Sequence, residues 1–308
     1  MKNCVKTFVK YTEYRLLPTR IYLQLCYFRA FRRFIDFKRP TTLNEKLQWK
    51  KLYGYSPVHT IITDKYSVRE YVSKRLGKDY LIPLITVLDD PDKLELVNLP
   101  QSFVAKVSHG SGQNIIVRDK SQVDELGIRK CLKRWFRDNH YYESREPQYR
   151  DIEPRIIVEE LLTDDYGKIP LDYKLHCFNG RVEAIQVDID RFGDHRRNFY
   201  SRGWDLLPFT WSPWGKDGPK WKNGSAIEKP RELVEMIDVG ETLSESFDYI
   251  RVDLYCLRHR IYFGELTLHH GGGTERFDPE EYDKILGDKL TLSPPGQKRL
   301  EGVAGEGE

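Results

Sequence analysis

The stretch FVAKVSHGSGQNIIV, residues 103–117, constrains this chain more than any other. Phe103, Ala105 and Val107 recur at every second position, the period of a half-buried strand, and Lys106 points to the opposite face. A polar turn follows (Ser108, His109, Gly110, Ser111, Gly112, Gln113, Asn114), and a β-branched run at 115–117 resumes the sheet. Such a hairpin exposes backbone N–H groups and hydroxyls beside an ammonium. Glycine lets the backbone approach oxyanions, and lysine adds a compact charge. Two readings stand at this point: a lid over phosphates, or an ordinary hairpin with a surface lysine.

The rest of the chain bears on that choice. At 308 residues it can bury a large core divided among two or three subdomains. Its ordinary apolar content excludes a disordered or fibrous protein. Five scattered cysteines (Cys4, Cys26, Cys131, Cys177, Cys256) form no C-x-x-C pair, so neither a disulfide framework nor a zinc cluster is implied and a cytoplasmic setting is expected. Residues 1–40 hold ten Lys or Arg against Glu13 and Asp36. This basic opening reads either as helices packed on the domain with arginines in solvent, or as a peripheral contact with the inner face of a membrane or an acidic polymer. Its longest apolar run is too short to span a bilayer.

Local signals order the elements. Residues 11–37 read as helical. Thr42 and Glu45 form a capping box at a second helix, and a third is expected from Thr63 or Asp64 to Leu76, stopped by Gly77. Residues 141–154 read as a mobile loop or linker, 172–178 and 181–188 as strands joined by Asn179-Gly180, and 200–230 as a loop rich in tryptophan. The tail after Leu292 reads as disordered.

Asp253 and Glu265 fall on two adjacent predicted strands, 250–257 and 260–268, among apolar neighbours. Carboxylates are rare there unless paired or metal-bound. Two facing one site suit Mg²⁺ when nucleotide phosphates complete its shell. Arg251 shares their face by strand periodicity and can fork onto a phosphoryl oxygen. A plain cross-strand salt bridge among the three is the competing reading.

Together, Asp64-Lys65, Lys106 with the 109–114 loop, Val158-Glu159-Glu160-Leu161, Arg251-x-Asp253 and Glu265-x-Thr267 resemble the ATP-grasp superfamily. Thr42-Leu43-Asn44-Glu45-Lys46-Leu47-Gln48-Trp49, Ser108-His109-Gly110-Ser111-Gly112, Asp172-Tyr173-Lys174, Cys177-Phe178-Asn179-Gly180 and Arg197-Asn198-Phe199-Tyr200 resemble its TupA-like branch of surface-polysaccharide biosynthesis. The resemblance implies an α+β ATP-grasp fold: two α+β subdomains clasping ATP, with a helical N-terminal extension. The expected divisions are a basic helical region at 1–60, a lid subdomain at 61–150, a metal-bearing subdomain at 151–292 and a tail at 293–308.

The resemblance also implies roles. Lys65 and Lys106 hold ATP phosphates, with Lys106 and Arg251 as the catalytic pair. His109, Gly110, Ser111, Gly112 and Asn114 cover the phosphates; Glu159, Glu160, Leu161 and Leu162 form the adenine hinge; Lys174 reaches the nucleotide. Asp253, Glu265 and Thr267 hold Mg²⁺, with Thr267 standing where the superfamily usually has Asn. The chemistry is amide formation: a carboxylate takes the γ-phosphoryl group of ATP, and an amine displaces phosphate. The implied partners are a uronate of a nucleotide sugar, lipid-linked unit or polymer, and a small amine; nucleic acid is not expected. Asp188, Asp190, Arg191, Arg197, His269 and His270 are candidate substrate contacts, and the tryptophans suit sugar stacking. Asp188-x-Asp190 also admits a metal-dependent glycosyltransferase, and a non-catalytic ATP-sensing scaffold is a third reading. His176, His195 and His259 are read as structural or solvent-facing.

Overall fold

The computed structural model describes residues 16–190 and 193–293. Expectations on residues 1–15, Arg191 and the tail beyond 293 therefore lie outside the described residues.

The described residues open with four helices: α1 (Thr19–Phe31), α2 (Leu43–Tyr53), α3 (Pro57–Thr63) and α4 (Val68–Leu76). The expected capping box is present, with Thr42 accepting from the Glu45 backbone and Glu45 reaching back. The helix expected to start at Asp64 is instead two. Asp64 ends α3, and its carboxylate accepts from the Tyr66 backbone and the Ser67 hydroxyl in a turn.

Strands β1 (Leu84–Leu88), β2 (Phe103–Val107), β3 (Asn114–Val117) and β4 (Ile156–Glu159) form one antiparallel sheet in the order β1-β4-β2-β3. Helix α5 (Glu125–Arg137), capped by Asp124, buries Ile128 and Leu132 against Phe103, Ala105 and Val107 beneath it. An inner strand of this sheet thus comes from beyond residue 150. β4 lies beyond the division expected at 150/151 yet pairs in the first sheet, because backbone pairing rather than the intervening polar segment decides which sheet a strand joins. That segment is no mobile linker either. It holds α6 (His140–Ser144) and a buried turn in which Arg145, Glu146 and Gln148 are each at most 6% exposed.

The second sheet contains β5 (Asp172–Phe178), β6 (Arg181–Ile189), β7 (Arg196–Tyr200), then, after short strands β8 (Thr210–Ser212), β9 (Trp214–Gly215) and β10 (Gly218–Pro219), β11 (Tyr249–Leu257) and β12 (Arg260–Thr267). Its order is β12-β11-β5-β6-β7, antiparallel throughout. Strand alternation sorts its faces. Leu175, Cys177, Ile185, Val187, Ile250, Val252 and Leu254 pack with α4 and α7 (Leu233–Ser244). The other face carries Asp172, Lys174, His176, Gln186, Asp188, Arg197, Arg251 and Asp253.

One irregularity matters for function. The β11–β12 register slips between Asp253 and Leu254, so Asp253 pairs with Glu265 but Leu254 pairs with Phe263. Gly264 is the extra residue of this bulge, and a Cβ there would lie 3.0 Å from the Asp253 carbonyl oxygen.

The remaining strand, β13 (Arg276–Asp278), pairs with β8, and α8 (Glu281–Lys289) follows. Helix α2 braces this end with polar groups. Asn44 donates to the Glu275 carbonyl, Gln48 to Gly272 and Gly273, and Lys46 to the last carbonyls of α8.

Candidate active site

The two sheets face each other across a cleft of about 1270 Å³. One wall is the β2–β3 hairpin with its glycine loop; the floor is the polar face of the five-stranded sheet. Ile82, Val104, Ile116, Ile157 and Leu171 give one end apolar walls beside Glu159, Glu160, Leu161 and Leu162.

Lys65 and Lys106 both line the cleft. The Lys106 ammonium sits 2.6 Å from Glu159, which also accepts from Arg69 at 2.8 Å. Lys65 donates to the Gly110 carbonyl, and its own N–H bonds the Ser108 carbonyl, so the lysine pins the loop it was expected to work beside. Burial lowers the Lys65 pKa. Ser111, Gly112 and Asn114 line the cleft. His109 does not: it is 3% exposed and faces the Trp135 carbonyl and the Phe136 ring. Its ring serves packing beneath the loop.

On the floor, Arg251 forks onto Asp253, Nε to Oδ1 at 2.6 Å and Nη2 to Oδ2 at 2.7 Å, and Nη2 also reaches Glu265 at 3.0 Å. Its Nη1 donates to His270 Nδ1 at 2.7 Å. Lys174 contacts Asp172 and lies 3.5 Å from Asp188 and 3.4 Å from Asp253. Burial opposes its charge, but Asp172 and Asp253 outweigh burial and raise its pKa. Asp188 is buried too, yet His195, Arg197 and Lys174 hold its pKa far below the carboxylate range. Charge is balanced by neighbours across all five strands.

The metal expectation can be tested on the donors. Among the described residues no cluster of three or more His, Cys, Asp and Glu suits a metal. Asp253 and Glu265, however, are opposite partners in the ladder and share the cleft. A carboxylate has about four lone-pair sites, so Arg251's fork leaves acceptor capacity on Asp253. Mg²⁺ needs only one or two carboxylates when phosphates and water complete its shell. The pair fits such an ion. Thr267 fits less well: it lies outside the cleft lining, and its hydroxyl donates to Glu265 at 3.4 Å.

Other expected substrate contacts separate. Arg197 lines the cleft, donating to Asp188 at 2.9 Å and Glu275 at 3.1 Å. Asp190 lines it as well, but its carboxylate accepts from the Asp194 backbone and closes a turn, while Asp188 is taken up by Arg197. The two carboxylates do not converge as a glycosyltransferase metal pair would need. His269 and His270 are buried behind the floor and do not line the cleft. They contact Gln148 and Glu146, and Arg251 and Glu275, respectively. Nor do the tryptophans offer sugar platforms in the cleft; Trp214 is exposed but does not line it. Trp211 is fully buried, Trp204 stacks on Tyr200, and Trp221, in the cleft, is covered by Arg197 at 4.2 Å and His195 at 4.8 Å.

Several cleft residues carried no expected role at the site: Arg69, Arg118, Asp172, His195 and Lys220. His195, expected to be incidental, lies 3.2 Å from Asp188. Only the DYK run hinted at Asp172; the others carry no local signal.

No curated protein sequence matches this chain. Among solved structures, the D-alanine–D-alanine ligase of Bacillus anthracis complexed with ATP is 14% identical, covering 75% of this chain and 63% of its own, with a TM-score of 0.42. The ATP-grasp ligase PsnB with a phosphomimetic precursor, Mg and ADP is 12% identical over 80% and 65%, TM-score 0.41. An ADP complex of N5-carboxyaminoimidazole ribonucleotide synthetase is 13% identical over 73% and 51%, TM-score 0.41. The chain thus spans less than two thirds of the length of each. The TupA-like ATP-grasp family model matches residues 45–291. That span takes in both sheets, the cleft between them and the bracing helix α2, so the α+β ATP-grasp expectation holds and the chain belongs to the TupA-like ATP-grasp family.

Proposed function

We propose that this protein is an ATP-dependent carboxylate–amine ligase that forms an amide on a uronate of a bacterial surface polysaccharide or its precursor. One observation carries the reading: Arg251, Asp253 and Glu265 converge on the floor of a cleft whose opposite wall holds Lys106 and the glycine loop.

The geometry supports a role for each group. Lys65, Lys106 and the loop N–H groups would hold the phosphates; the apolar end beside 159–162 takes the base. Asp253 and Glu265 would hold Mg²⁺, which when bound neutralises phosphate oxygens. Arg251 spends four of its five N–H groups on Asp253, Glu265 and His270. Its plane is fixed, and the last N–H is left for a transferred phosphoryl oxygen. The substrate carboxylate attacks the γ-phosphorus and ADP leaves; the amine then attacks the acyl carbon and phosphate leaves, with loss of a proton from nitrogen. Preorganised charge carries most of this catalysis. Arg197 and Lys220, far along the cleft from the base end, supply cations for the uronate. The working parts under this reading are the helical region, a lid that includes β4, and the five-stranded floor.

The test is ADP release from ATP by the purified protein with a panel of uronates and amines. Release that requires both partners and is lost in Glu265→Gln is expected. ATP-independent turnover of a nucleotide sugar would overturn the assignment.

A further inference from the structure

Helix α1 has two unlike faces. Tyr22, Leu23 and Tyr27 are buried against Ile35, Phe37, Trp49 and Leu52. The opposite stripe, at the spacing i, i+4, i+7, i+11, is Ile21, Leu25, Phe28 and Arg32. Ile21 is 50% exposed, Phe28 36%, and Phe34 in the turn beyond the helix 63%. Phe28 and Phe34 stack on each other with centroids 4.9 Å apart, so the apolar groups form one ridge. Around it stand exposed Arg20, Arg29, Arg32, Arg33, Lys38 and Arg39, against one acid, Asp36, within residues 16–40. Among the described residues, Glu280 approaches Arg33 from another element at 3.5 Å, and Glu45 of α2 also acts on it. No described helix is long and apolar enough to cross a membrane.

A buried core does not require this ridge, and solvent does not favour it. An aromatic ridge rimmed by cations matches the boundary between acyl chains and anionic headgroups, where apolar side chains insert shallowly and arginines meet phosphates. We propose that the outer face of α1 and the turn at 32–39 dock the protein on an anionic lipid surface, lying on it without spanning it. The proposal stands apart from the ligase reading, since none of these residues lines the cleft.

Co-sedimentation of the full chain with phosphatidylglycerol–phosphatidylcholine vesicles, and with phosphatidylcholine alone, tests it. Binding to the anionic vesicles alone, weakened by salt, is expected. Arg32→Glu with Lys38→Glu should weaken it by on the order of tenfold or more. Phe28→Ser with Phe34→Ser should weaken it while circular dichroism and the melting temperature stay unchanged. Absence of binding to anionic vesicles overturns the proposal. So does binding that both double variants leave intact, which would place the contact elsewhere. Capture by a soluble acidic polymer in preference to vesicles would assign the face to that partner instead.

Discussion

His270 accepts a hydrogen bond from Arg251 at 2.7 Å through Nδ1, which places the imidazole proton on Nε2, 3.2 Å from Glu275. Burial and the cations Arg251 and Arg197 drive the His270 pKa well below its ordinary value, so the ring is neutral and able to accept. Glu275 in turn accepts from Arg197. A residue outside the cleft thereby sits between the arginine beside the two carboxylates and the Glu275–Arg197 pair, although its Nε2 makes no hydrogen bond to Glu275.

His270→Ala should leave an Arg251 donor without a partner. A hydrogen bond to a charged group is worth about 1.5–3 kcal/mol, so turnover should fall roughly 10- to 100-fold. ATP affinity should hold within about twofold, because phosphate binding rests on other residues. His270→Asn, which keeps an acceptor oxygen, should recover part of the loss. Equal loss of ATP affinity and turnover would show that the ring supports folding only.

Asp253 and Glu265 should separate in stability. Asp253 is buried under the Arg251 fork, and Asp253→Asn leaves that buried guanidinium with only the half-exposed Glu265 carboxylate as a charged partner, at a cost of about 3 kcal/mol. The Glu265 side chain is 45% exposed, so Glu265→Gln should cost less than about 1 kcal/mol while still abolishing ligation. Matching melting temperatures in the two variants would contradict this division.

Lys106 ends in the cleft with Glu159 as its partner. Lys106→Met should weaken ATP binding about tenfold or more by titration calorimetry, the scale of one charge-assisted hydrogen bond. Unchanged affinity would remove the lysine from the nucleotide site and with it the basis for reading the hairpin as a lid.

Glu146 gives the fold a defined acid limit. Burial opposes its charge, but His269 and Lys51 outweigh burial and lower its pKa from 4.5 to about 2. A depressed carboxylate contributes stability that is complete above the unfolded value and lost as pH falls through the folded one. Urea midpoints should therefore decline between about pH 4.5 and 2, by roughly 3 kcal/mol in total. In Glu146→Gln that decline should be visibly shallower; an identical slope would refute the pairing.

Much of the architecture was legible where the signal is local. Thr42 and Glu45 announce α2 from three residues apart, and Asn179-Gly180 announces the β5–β6 turn. Asp253 and Glu265 drew notice because carboxylates are costly in apolar strands. What escaped was long-range. Gln148 finds His269 across 121 residues, and Lys51 finds the Ser144 carbonyl across 93, so residues 141–154 looked solvated when Arg145, Glu146, Gln148 and Ile152 among them are buried. Trp204, Trp211 and Trp221 failed as sugar platforms for a similar reason: composition shows an aromatic ring but not what already covers its face. Residue chemistry suggested participants; tertiary pairing decides which of them reach the cleft.

Gly264 carries a consequence of its own. Ile261, Phe263 and Glu265 are in phase along the sequence, and an unbroken ladder would turn all three to one side. The bulge resets strand parity between Phe263 and Glu265, sending the phenyl ring to the oily side and the carboxylate to Asp253. Were the ladder to close with Gly264 kept in register, every functional group in the chain would be preserved while Glu265 rotated into the hydrophobic layer and Leu266 into the cleft. A bulkier residue would press on the Asp253 carbonyl and the Tyr255 ring, 3.0 and 3.1 Å away. Sequence drift at this position would silence the site with all its chemical groups intact, a failure that an inventory of charged residues would never reveal.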